Sequence, residues 1–498
     1  MASTFRLPPA DREFFAQVAR AAACNPFSEE RAKIDEQILG SFTSIPPFER
    51  LHRLTQVVGA RVRKLNDRGA ADLRLYEGEE REIVRGALLF ALYHRYREPF
   101  DDLLVEQVRA GDPPVTVPFA RDALGSMKAC GFDGDDALRL IAIMYQIRRA
   151  YYFIDNGLIG DSPCMQELRR RLWNNVFTHD TRRYELHLWN RMEDFSTLLL
   201  GETGTGKGTA AAAIGRSGFI PFDERRGCFV ESFTSNFIAL NLSQYPETLI
   251  ESEVFGHRKG AFTGAVEAHD GVLSRCSPHG AILLDEIGEV SAPVQIKLLQ
   301  VLQERTFSPV GSHEKRRFHG RVIAATNKPL HRLRGEGQFR DDFFYRLCSD
   351  VITVPTLRQR IAEDPAELDR LVSSVVARLS GHESDELTSW VRGRLVTGVG
   401  RDYPWPGNVR ELEQAVRRVL LTQNYEGDHR AAAPGLRETL TQGLEVGTLT
   451  ADELLSGYCR LLYERHGTYE EVARRTRLDR RTVKTYVTRR GSGASQGQ

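Results

Sequence analysis

The chain has 498 residues, which at about 150 residues per domain predicts roughly three domains. Its 68 Lys and Arg nearly balance its 67 Asp and Glu, for a net charge of +1. This balance excludes a protein that coats a polyanion with its whole surface, although a local basic patch stays open. The composition, 41% hydrophobic and 27% charged, is that of a globular protein.

No apolar run is long enough to cross a membrane, and the first residues, MASTFRLPPADREFF, lack the apolar core of a signal peptide. The seven cysteines are scattered and form no C-x-x-C pair. This usage predicts reduced thiols, a cytoplasmic location and no membrane partner.

Residues 1–157 predict a mostly helical region. Apolar residues recur at helical spacing within 81–108, where Pro99 should interrupt the helix, and again within 136–154. Strands and helices do not alternate here, which argues against a receiver domain built from βαβ units. The signal that such an N-terminal region would sense is not indicated by its residues.

From residue 158 the pattern changes to short apolar runs that end in Gly or Asp and alternate with helical stretches. Three such runs, Thr197–Leu200, 281–284 and 321–325, predict strands of a buried parallel sheet. Residues 366–424 predict helices, interrupted by the sequence YPWPGN at 403–408.

A phosphate-binding loop is predicted where the sequence GETGTGKG follows the first of these strands and precedes an Ala-rich helix. Glycines let the backbone wrap the phosphates, the amides at the helix N-terminus face the anion, and Lys207 would reach the β- and γ-phosphates. The general pattern has Ser or Thr after the lysine to hold magnesium; here Gly208 stands there and Thr209 follows. The predicted nucleotide-binding residues are Gly201, Glu202, Thr203, Gly204, Thr205, Gly206, Lys207, Gly208 and Thr209.

A second apolar strand ends in two carboxylates. Asp285 is placed to hold Mg²⁺ through water, and Glu286 to polarise the attacking water. Asn327 follows another strand and could sense the γ-phosphate, although this residue type also favours turns. Arg340 and Arg346 could be donated across a subunit interface to the phosphates, or could belong to a solvated charged face.

Residues 158–424 resemble the AAA+ domain of bacterial enhancer-binding proteins, the activators of sigma-54 RNA polymerase. The deciding motif is the sequence GAFTGA, which in that family touches sigma-54; here it comprises Gly260, Ala261, Phe262, Thr263, Gly264 and Ala265. The resemblance implies that Arg410, after YPWPGN, is a second sensor for the nucleotide. It also implies that Asn241 and Glu286 form a switch pair, and that Arg340 and Arg346 act in trans.

The resemblance implies an α/β core, with a parallel sheet flanked by helices, at 158–357 and a helical lid at 358–424. It further implies ATP and Mg²⁺ as cofactors, a ring that is most often a hexamer, and ATP-driven opening of promoters. This chain departs from the family at Gly208, where Glu is usual, and at Thr203, where Ser is usual. Its segment from 165 to 201 is also longer than expected, with extra residues around 178–192.

The predicted C-terminal module, 450–490, follows a linker at 425–449 and precedes a flexible tail at 491–498. Residues 466–490 hold eight Lys and Arg against three acids, a local net charge of +5. Thr468 and Glu471 predict a capping box that opens one helix, and Asp479 predicts the cap of a second. This pattern suggests a helix-turn-helix that binds double-stranded DNA upstream of promoters, with Arg480, Arg481, Lys484 and Thr485 facing the DNA. A solvated basic helix is the alternative.

Two rival functions remain: an AAA+ remodeller of another protein with a C-terminal docking module, and a DNA-binding repressor with a degenerate ATPase. Phe262 and Thr263 favour the sigma-54 activator over the first rival. The intact carboxylates of Asp285 and Glu286 disfavour the second.

Overall fold

The computed structural model describes residues 5–40, 47–427 and 449–488, with a few single positions between 428 and 448. The chain divides into two compact units, one of residues up to 393 together with 407–421, the other of residues 394–406 together with those from 422 onward. Within the described ranges, no helix combines the length and the apolarity needed to cross a membrane. The seven cysteines are all free thiols, as predicted.

The N-terminal region is helical, as its apolar spacing predicts. Its helices are α1 Pro9–Ala23, α2 Glu29–Leu39, α3 Pro47–Asp67, α4 Gly78–Arg95, α5 Arg97–Ala110, α6 Ala120–Ala129 and α7 Gly134–Tyr151. The predicted interruption near Pro99 is confirmed: α4 ends at Arg95, and Pro99 lies in the first turn of α5, where a backbone N–H has no partner within the helix. Asp133 caps α7 by accepting from the Asp136 amide at 2.7 Å.

The core of the ATPase region is a five-stranded, all-parallel sheet in the order β4-β5-β8-β1-β9. The three strands predicted from the sequence are confirmed as β1, β5 and β8. The elements are α8 Pro163–Phe177, α9 Thr181–Arg183, β1 Thr197–Leu200, α10 Lys207–Gly215, β2 Phe222–Asp223, β3 Cys228–Phe229, β4 Phe237–Asn241, α11 Glu247–Phe255, α12 Val272–Arg275, β5 Ala281–Asp285, α13 Ala292–Glu304, β6 Thr306–Phe307, β7 Arg316–Arg317, β8 Arg321–Thr326, α14 Leu330–Gly335, α15 Asp341–Leu347 and β9 Asp350–Thr353.

Four helices follow the sheet in the predicted lid: α16 Leu357–Glu363, α17 Ala366–Ser380, α18 Asp385–Val399 and α19 Asn408–Thr422. A buried ion pair between Arg360 and Glu367, 2.7 Å, joins the first two of them. Glu367 also accepts from the backbone amide of Ser162 at 3.0 Å, so the chain entering the ATPase region is tied to these helices.

The hydrophobic core of the N-terminal helices extends to residues at and beside β2–β3 in the predicted α/β region. The antiparallel pair β2–β3 is separate from the five-stranded sheet, and its aromatic residues pack among the N-terminal helices. The rings of Tyr145 in α7 and Phe229 in β3 stack with centroids 4.1 Å apart. The backbone amide of Val117 donates to the carbonyl of Gly227 at 2.8 Å. The N-terminal region is therefore packed against the ATPase core and is not joined to it by a linker alone.

The segment 178–194, which includes the extra residues predicted by comparison with the family, also contacts the N-terminal helices. It forms α9, a π-helical turn at Tyr184–Leu188 and a 3₁₀ turn at Met192–Asp194. The buried Tyr184 hydroxyl donates to Gln146 at 2.9 Å, and Glu185 pairs with Arg85 of α4. The part of the chain around 178–192, where the sequence predicts extra residues, thus contacts the N-terminal helices.

Two side chains of α7 cap the far end of α10, the helix that begins at Lys207. The fully buried guanidinium of Arg149 donates to the carbonyls of Arg216 and Gly218 at 2.7 and 2.6 Å. Gln146 donates to the carbonyl of Ser217 at 2.9 Å. Burial lowers the pKa of Arg149 to about 10, so the group stays charged at neutral pH and favours these terminal carbonyls.

The second unit contains three C-terminal helices, α20 Ala451–His466, α21 Tyr469–Thr476 and α22 Arg480–Thr488. They pack around Cys459, Val472 and Val483, one buried residue from each helix. Asp479 caps α22 by accepting from the amides of Arg481 and Thr482 at 2.9 and 3.0 Å, as predicted.

The capping box predicted at Thr468 and Glu471 is wrong. The Thr468 side chain makes no cap hydrogen bond, and the Glu471 carboxylate turns along α21 toward Arg474 and Arg475, at 2.7 and 2.8 Å. A capping box does form one helix earlier, at the start of α20. Most of the predicted linker, the tail and the last two arginines counted in the basic segment lie outside the described residues.

We expect Arg149→Ala to lower the free energy of unfolding by about 3 kcal/mol, because it removes the donors of two buried carbonyls and opens a cavity. Chemical denaturation of the full chain measures this change. The control is Arg109→Ala, an exposed arginine in the same region, which should change stability by less than about 0.5 kcal/mol. Equal effects of the two variants would contradict the capping role.

Candidate nucleotide site and exposed loop

The phosphate loop joins β1 to α10 and approaches the start of α19 so closely that only glycine fits at Gly204. This residue has a φ of +81°, and a Cβ there would lie 2.2 Å from the carbonyl oxygen of Gly407. The Gly204 carbonyl accepts from the backbone amide of Val409 at 3.0 Å. The loop is therefore held against the lid by contacts of the protein backbone. At Gly208, by contrast, a Cβ would meet open space.

Lys207 lies buried at the start of α10. Its ammonium donates to the carbonyls of Gly201 and Glu202 at 2.8 and 3.1 Å, and so lies inside the loop that it is predicted to serve. Burial lowers the pKa of Lys207, and the nearby carboxylates of Glu286 and Asp285 oppose that shift. The predicted lysine and the two predicted carboxylates are thus brought into one electrostatic cluster.

The carboxyl ends of three neighbouring strands supply the remaining predicted polar groups. Asp285 ends β5, and in the parallel register it lies beside Asn241 of β4 and Ala325 of β8. Asn327 follows β8. Its backbone amide donates to the Glu286 carboxylate at 3.3 Å, and its side-chain amide donates to the Thr203 hydroxyl at 2.8 Å. The structure therefore brings Asn327 between the acidic strand end and the phosphate loop.

Glu286 has a left-handed backbone conformation, with a φ of +56°. Such a conformation is unfavourable for a residue with a Cβ and is concentrated at functional sites. The backbone turns sharply after β5, and the Glu286 amide donates to the Asp285 carboxylate at 3.0 Å. The turn holds two carboxylates side by side at the sheet edge.

The predicted switch residues Asn241 and Glu286 lie at the ends of adjacent strands, but their hydrogen bonds go to different partners. Asn241 accepts from the amide and the hydroxyl of Ser243 at 3.0 and 2.8 Å. Glu286 accepts from Asn327 instead. Each of the two side chains thus has a local partner in this structure.

Asn408 joins the lid to the phosphate loop. It is fully buried with a φ of +54°, and its amide nitrogen donates to both the Glu202 carboxylate and the Thr203 carbonyl at 3.1 Å. Its amide oxygen accepts from the backbone of Leu357 at 2.8 Å. Arg358 pairs with Glu202, N–O 2.9 Å, and this hydrogen bond is the main cause of the lowered pKa of Glu202.

Sequence reasoning assigned a role to Arg410 but missed Asn408 and Arg358. The backbone amide of Arg410 lies 3.4 Å from the Gly204 carbonyl, and its side chain is exposed. The position of Asn408 did carry a signal, because asparagine directly after glycine at the start of a helix is a residue type that tolerates positive φ.

The structure does not bring Arg340 and Arg346 to the phosphate loop of their own chain. Arg340 precedes α15 and pairs with Asp342 at 2.8 Å. The guanidinium of Arg346 donates from two nitrogens to the carbonyl of Leu302, near the end of α13, at 2.9 and 2.8 Å. Both residues are exposed.

The GAFTGA segment forms an exposed loop after α11. The loop base is fastened by a reciprocal pair of backbone hydrogen bonds between His257 and His269, each 2.9 Å. The loop closes where the Gly260 amide donates to the Ala265 carbonyl at 2.8 Å. Phe262 stays 37% exposed, with its ring edge-on to the His257 ring at 4.9 Å. An apolar ring is therefore presented to solvent, as the sequence predicts.

The helix α22 carries the predicted DNA-contacting residues on its exposed face. Arg480 pairs with Glu470 of the preceding helix at 2.8 Å, whereas Arg481 and Lys484 are exposed. The Thr485 hydroxyl donates to the carbonyl of Arg481 at 3.0 Å. Val483 points the opposite way, into the small core, which orients the basic face outward.

Known proteins share parts of this sequence. Residues 182–353 match the sigma-54 interaction domain. The chain is 38% identical to the Nif-specific regulatory protein of Azotobacter vinelandii over 273 residues, 55% of this chain and 46% of that protein. It is 37% identical to the sigma-54-dependent transcriptional activator SfnR of Pseudomonas putida over 283 residues, 56% of this chain and 71% of that protein.

The chain spans less than two thirds of the length of several curated relatives, including the Nif-specific regulatory protein. A solved structure of NtrX from Brucella abortus in complex with ATP shares 19% sequence identity, with a TM-score of 0.40; the match covers 74% of this chain and 80% of that one.

We expect Gly204→Ala to weaken ATP binding and Gly208→Ala to leave it unchanged. The first forces a Cβ onto the Gly407 carbonyl in an unfavourable φ, and should weaken ATP binding by at least about tenfold, a cost near 1.4 kcal/mol. The second should leave ATP affinity unchanged and stabilise the start of α10 by about 0.5 kcal/mol, since alanine loses less backbone entropy than glycine. Calorimetric ATP titration and chemical denaturation of both variants measure the two effects. Equal ATP affinities would contradict the contact between loop and lid.

Proposed function

Because this chain belongs to the sigma-54-dependent transcriptional activators, we propose that it binds DNA upstream of promoters and uses ATP hydrolysis to open the closed sigma-54 RNA polymerase complex. The observation that carries this proposal is the combination of a formed phosphate loop with an exposed aromatic loop at 260–265. The first would supply the energy, and the second the contact with the partner.

The carboxyl edge of the sheet would bind ATP with Mg²⁺. Carboxylate and hydroxyl oxygens are the ligands that Mg²⁺ prefers, and Asp285 and Thr209 offer one of each near the phosphate loop. Lys207 would exchange its two loop carbonyls for phosphate oxygens. Glu286, whose carboxylate lies within hydrogen-bonding distance of the Asn327 amide, would orient the attacking water. Arg410 would contact the nucleotide from the lid.

We also propose that the active form is a ring, most simply a hexamer. Arg340 and Arg346 lie outside their own phosphate loop, so a role in phosphoryl transfer requires a neighbouring subunit. Both currently bond to groups of their own chain. Ring assembly would exchange the Asp342 carboxylate and the Leu302 carbonyl for the phosphates of the adjacent subunit.

The path from nucleotide to loop follows the chain. Asn241, at the end of β4, is separated from α11 by a single 3₁₀ turn, and α11 leads directly into the base of the loop. If the γ-phosphate takes over the hydrogen bond of the Asn327 backbone amide, the Glu286 carboxylate becomes available to Asn241, which would give up Ser243. That exchange would shift the start of α11 and thereby the exposed Phe262.

The proposed domain roles follow the sequence-based boundaries. Residues 1–157 would regulate the ATPase, 158–357 and 358–424 would form its α/β core and lid, and 450–490 would be a helix-turn-helix after the linker 425–449. The basic face of α22, with Arg481, Lys484 and Thr485, would enter the major groove. The seven free thiols suit an activator that works in the cytoplasm.

Lys207→Ala and Glu286→Ala should separate ATP binding from ATP turnover. The first removes the phosphate-binding cation and should abolish ATP binding, whereas the second should bind ATP but not hydrolyse it. A filter-binding assay beside a phosphate-release assay measures both. Glu289→Ala is the control, because this carboxylate lies three residues on and pairs with Lys328 at 2.7 Å. Normal turnover in Glu286→Ala would contradict the assignment.

Phe262→Ala should hydrolyse ATP, assemble and bind DNA, yet fail to open sigma-54 promoters. The substitution removes the apolar tip but none of the groups that would hold ATP, so only a modest change in turnover is expected. A promoter-melting assay and an ATPase assay on one preparation measure this. Val266→Ala is the control, since Val266 is 73% exposed directly after the loop. Promoter opening by Phe262→Ala at the wild-type rate would favour remodelling of a different protein.

Replacing Arg480, Arg481 and Lys484 together by Ala should weaken DNA binding and reduce its salt dependence, because phosphate contacts release counterions. ATPase activity should be retained. Arg465, Arg474 and Arg475, all exposed on the two preceding helices, give a control triple with the same loss of charge. Unchanged DNA affinity in the first triple would favour a protein-docking role for these helices.

A further inference from the structure

A cavity of about 280 Å³ lies in the predicted α/β region, and Gln146 of α7 contributes to its wall. Its wall includes Ala281 and Arg321, the first residues of β5 and β8, so it is at the amino edge of the sheet. The nucleotide residues are at the carboxyl edge of the same strands. The cavity therefore belongs to neither the phosphate loop nor the GAFTGA loop, and its size approaches the lower end of small-ligand pockets, roughly 300 Å³.

The wall of the cavity is mostly apolar and partly aromatic. Trp189 and Phe219 meet edge to face, with centroids 4.6 Å apart, and Met192, Val176 and Ile214 add aliphatic surface. Trp189 and Met192 come from the long segment at 178–194, beyond the turn that contacts the N-terminal helices. This composition fits a flat, apolar ligand body.

One buried cation faces this apolar space. Arg321 is 91% buried, and it donates from Nε to the Phe195 carbonyl at 2.9 Å and from Nη2 to Asn175 at 2.8 Å. Within the part of the chain that the structure describes, it forms no ion pair, and its Nη1 makes no hydrogen bond. Burial lowers the pKa of Arg321 to about 10, so the group is charged at neutral pH.

Asp350 and Tyr184, which do not line the cavity, act electrostatically on Arg321 and partly oppose the effect of burial on its pKa, but neither forms an ion pair or a hydrogen bond with it. Glu193 is the one carboxylate among the lining residues, and its charge acts on His279 and Arg305. Gln146 is fully engaged, since it donates to Ser217 and accepts from Tyr184. A buried cation with an unused donor attracts an anion, and a planar guanidinium suits a carboxylate.

We propose that this cavity binds a small aromatic carboxylate as an effector. Its ring would lie against Trp189 and Phe219, and its carboxylate would accept from Nη1 of Arg321. The ligand would accept from the donor of the arginine that makes no hydrogen bond in the described residues, and would add a carboxylate in direct contact with its charge, which the more distant Asp350 does not supply. An uncharged aromatic amide of the same shape would offer the apolar contacts and one neutral acceptor, but no negative charge for the guanidinium.

The position of the cavity gives the ligand a route to the nucleotide. Ile214, Gly215, Ser217 and Gly218 line it, and they form the end of α10 and the turn that Arg149 and Gln146 cap. The same helix begins at Lys207. A ligand at this end would alter how firmly α10 is held, and so would change ATP affinity by the factor by which ATP changes the affinity for the ligand. This coupling rests on the proposed ATPase function, but binding of the ligand does not.

The test is a calorimetric titration of the full chain, without nucleotide, with benzoate and with its neutral isostere benzamide. We expect saturable binding of benzoate, at least about tenfold tighter than that of benzamide, since a charged hydrogen bond is worth about 1.4 kcal/mol or more. Absence of saturable benzoate binding, or equal affinity for benzamide, would overturn the proposal. Glu286→Ala should bind benzoate like the wild type, which keeps this result separate from failure of the ATPase assignment.

A pair of variants places the ligand in the cavity without disturbing the scaffold bonds of Arg321. Met192→Trp fills the cavity from its half-buried wall and should weaken benzoate binding at least about tenfold. Leu186→Trp adds the same bulk to the same segment, at a residue that is exposed and outside the cavity wall, and should bind normally. Equal affinity of Met192→Trp and Leu186→Trp would show that benzoate binds elsewhere, and would overturn the assignment of this cavity.

Discussion

The phosphate-loop helix α10 is held at both ends, and the arrangement of the larger unit depends on this. At its start, the close approach of Gly204 to Gly407 and the side chain of Asn408 join the loop to the lid. At its end, Arg149 and Gln146 of the N-terminal region supply donors for the last carbonyls. The helix that would carry the nucleotide is therefore the element on which the lid and the N-terminal region both act.

Buried polar side chains, rather than apolar contact alone, fix these connections. Arg149 and Arg321 are buried cations that bond to backbone carbonyls and amides, and Glu367 is a buried anion paired with Arg360. Each bond has a strict direction and length, so a small displacement of one element leaves an unpaired polar group in the interior, at a cost of about 1–3 kcal/mol. Such contacts favour discrete arrangements over gradual deformation, as a regulated ATPase requires.

The sequence was informative where short segments decide the structure. The strand–loop–helix around GETGTGKG, the strand that ends at Asp285 and the helical spacing of the N-terminal region each depend on neighbours within one or two elements, and the fold contains each of them. The cap at Asp479 is equally local. The capping box at Thr468 failed for a reason that is also local: two arginines, at the third and fourth positions after Glu471, compete for its carboxylate.

What the sequence could not provide are contacts between distant residues. Arg149 meets carbonyls 67 and 69 positions away, and Asn408 meets Thr203 across 205. The apolar pattern of β2–β3 fits an edge strand of the sheet as well as a hairpin packed into the helical region. Only the fold decides between these arrangements, because the partner surface is formed by helices that precede the hairpin by many residues.

The strained turn at Glu286 and the hydrogen-bonded base of the GAFTGA loop both bear on how a rearrangement at the sheet edge could reach the loop tip. The left-handed backbone at Glu286 is unfavourable in free energy, and a rearrangement of Glu286 could release that free energy. The strand that precedes it, β5, is paired in register with β8. The loop base, closed by His257 and His269, cannot absorb motion of α11 by bending locally. In the proposed mechanism, a shift that starts at the end of β4 would pass through α11 to the exposed tip. A displacement of one side chain at the sheet edge would then move the whole loop.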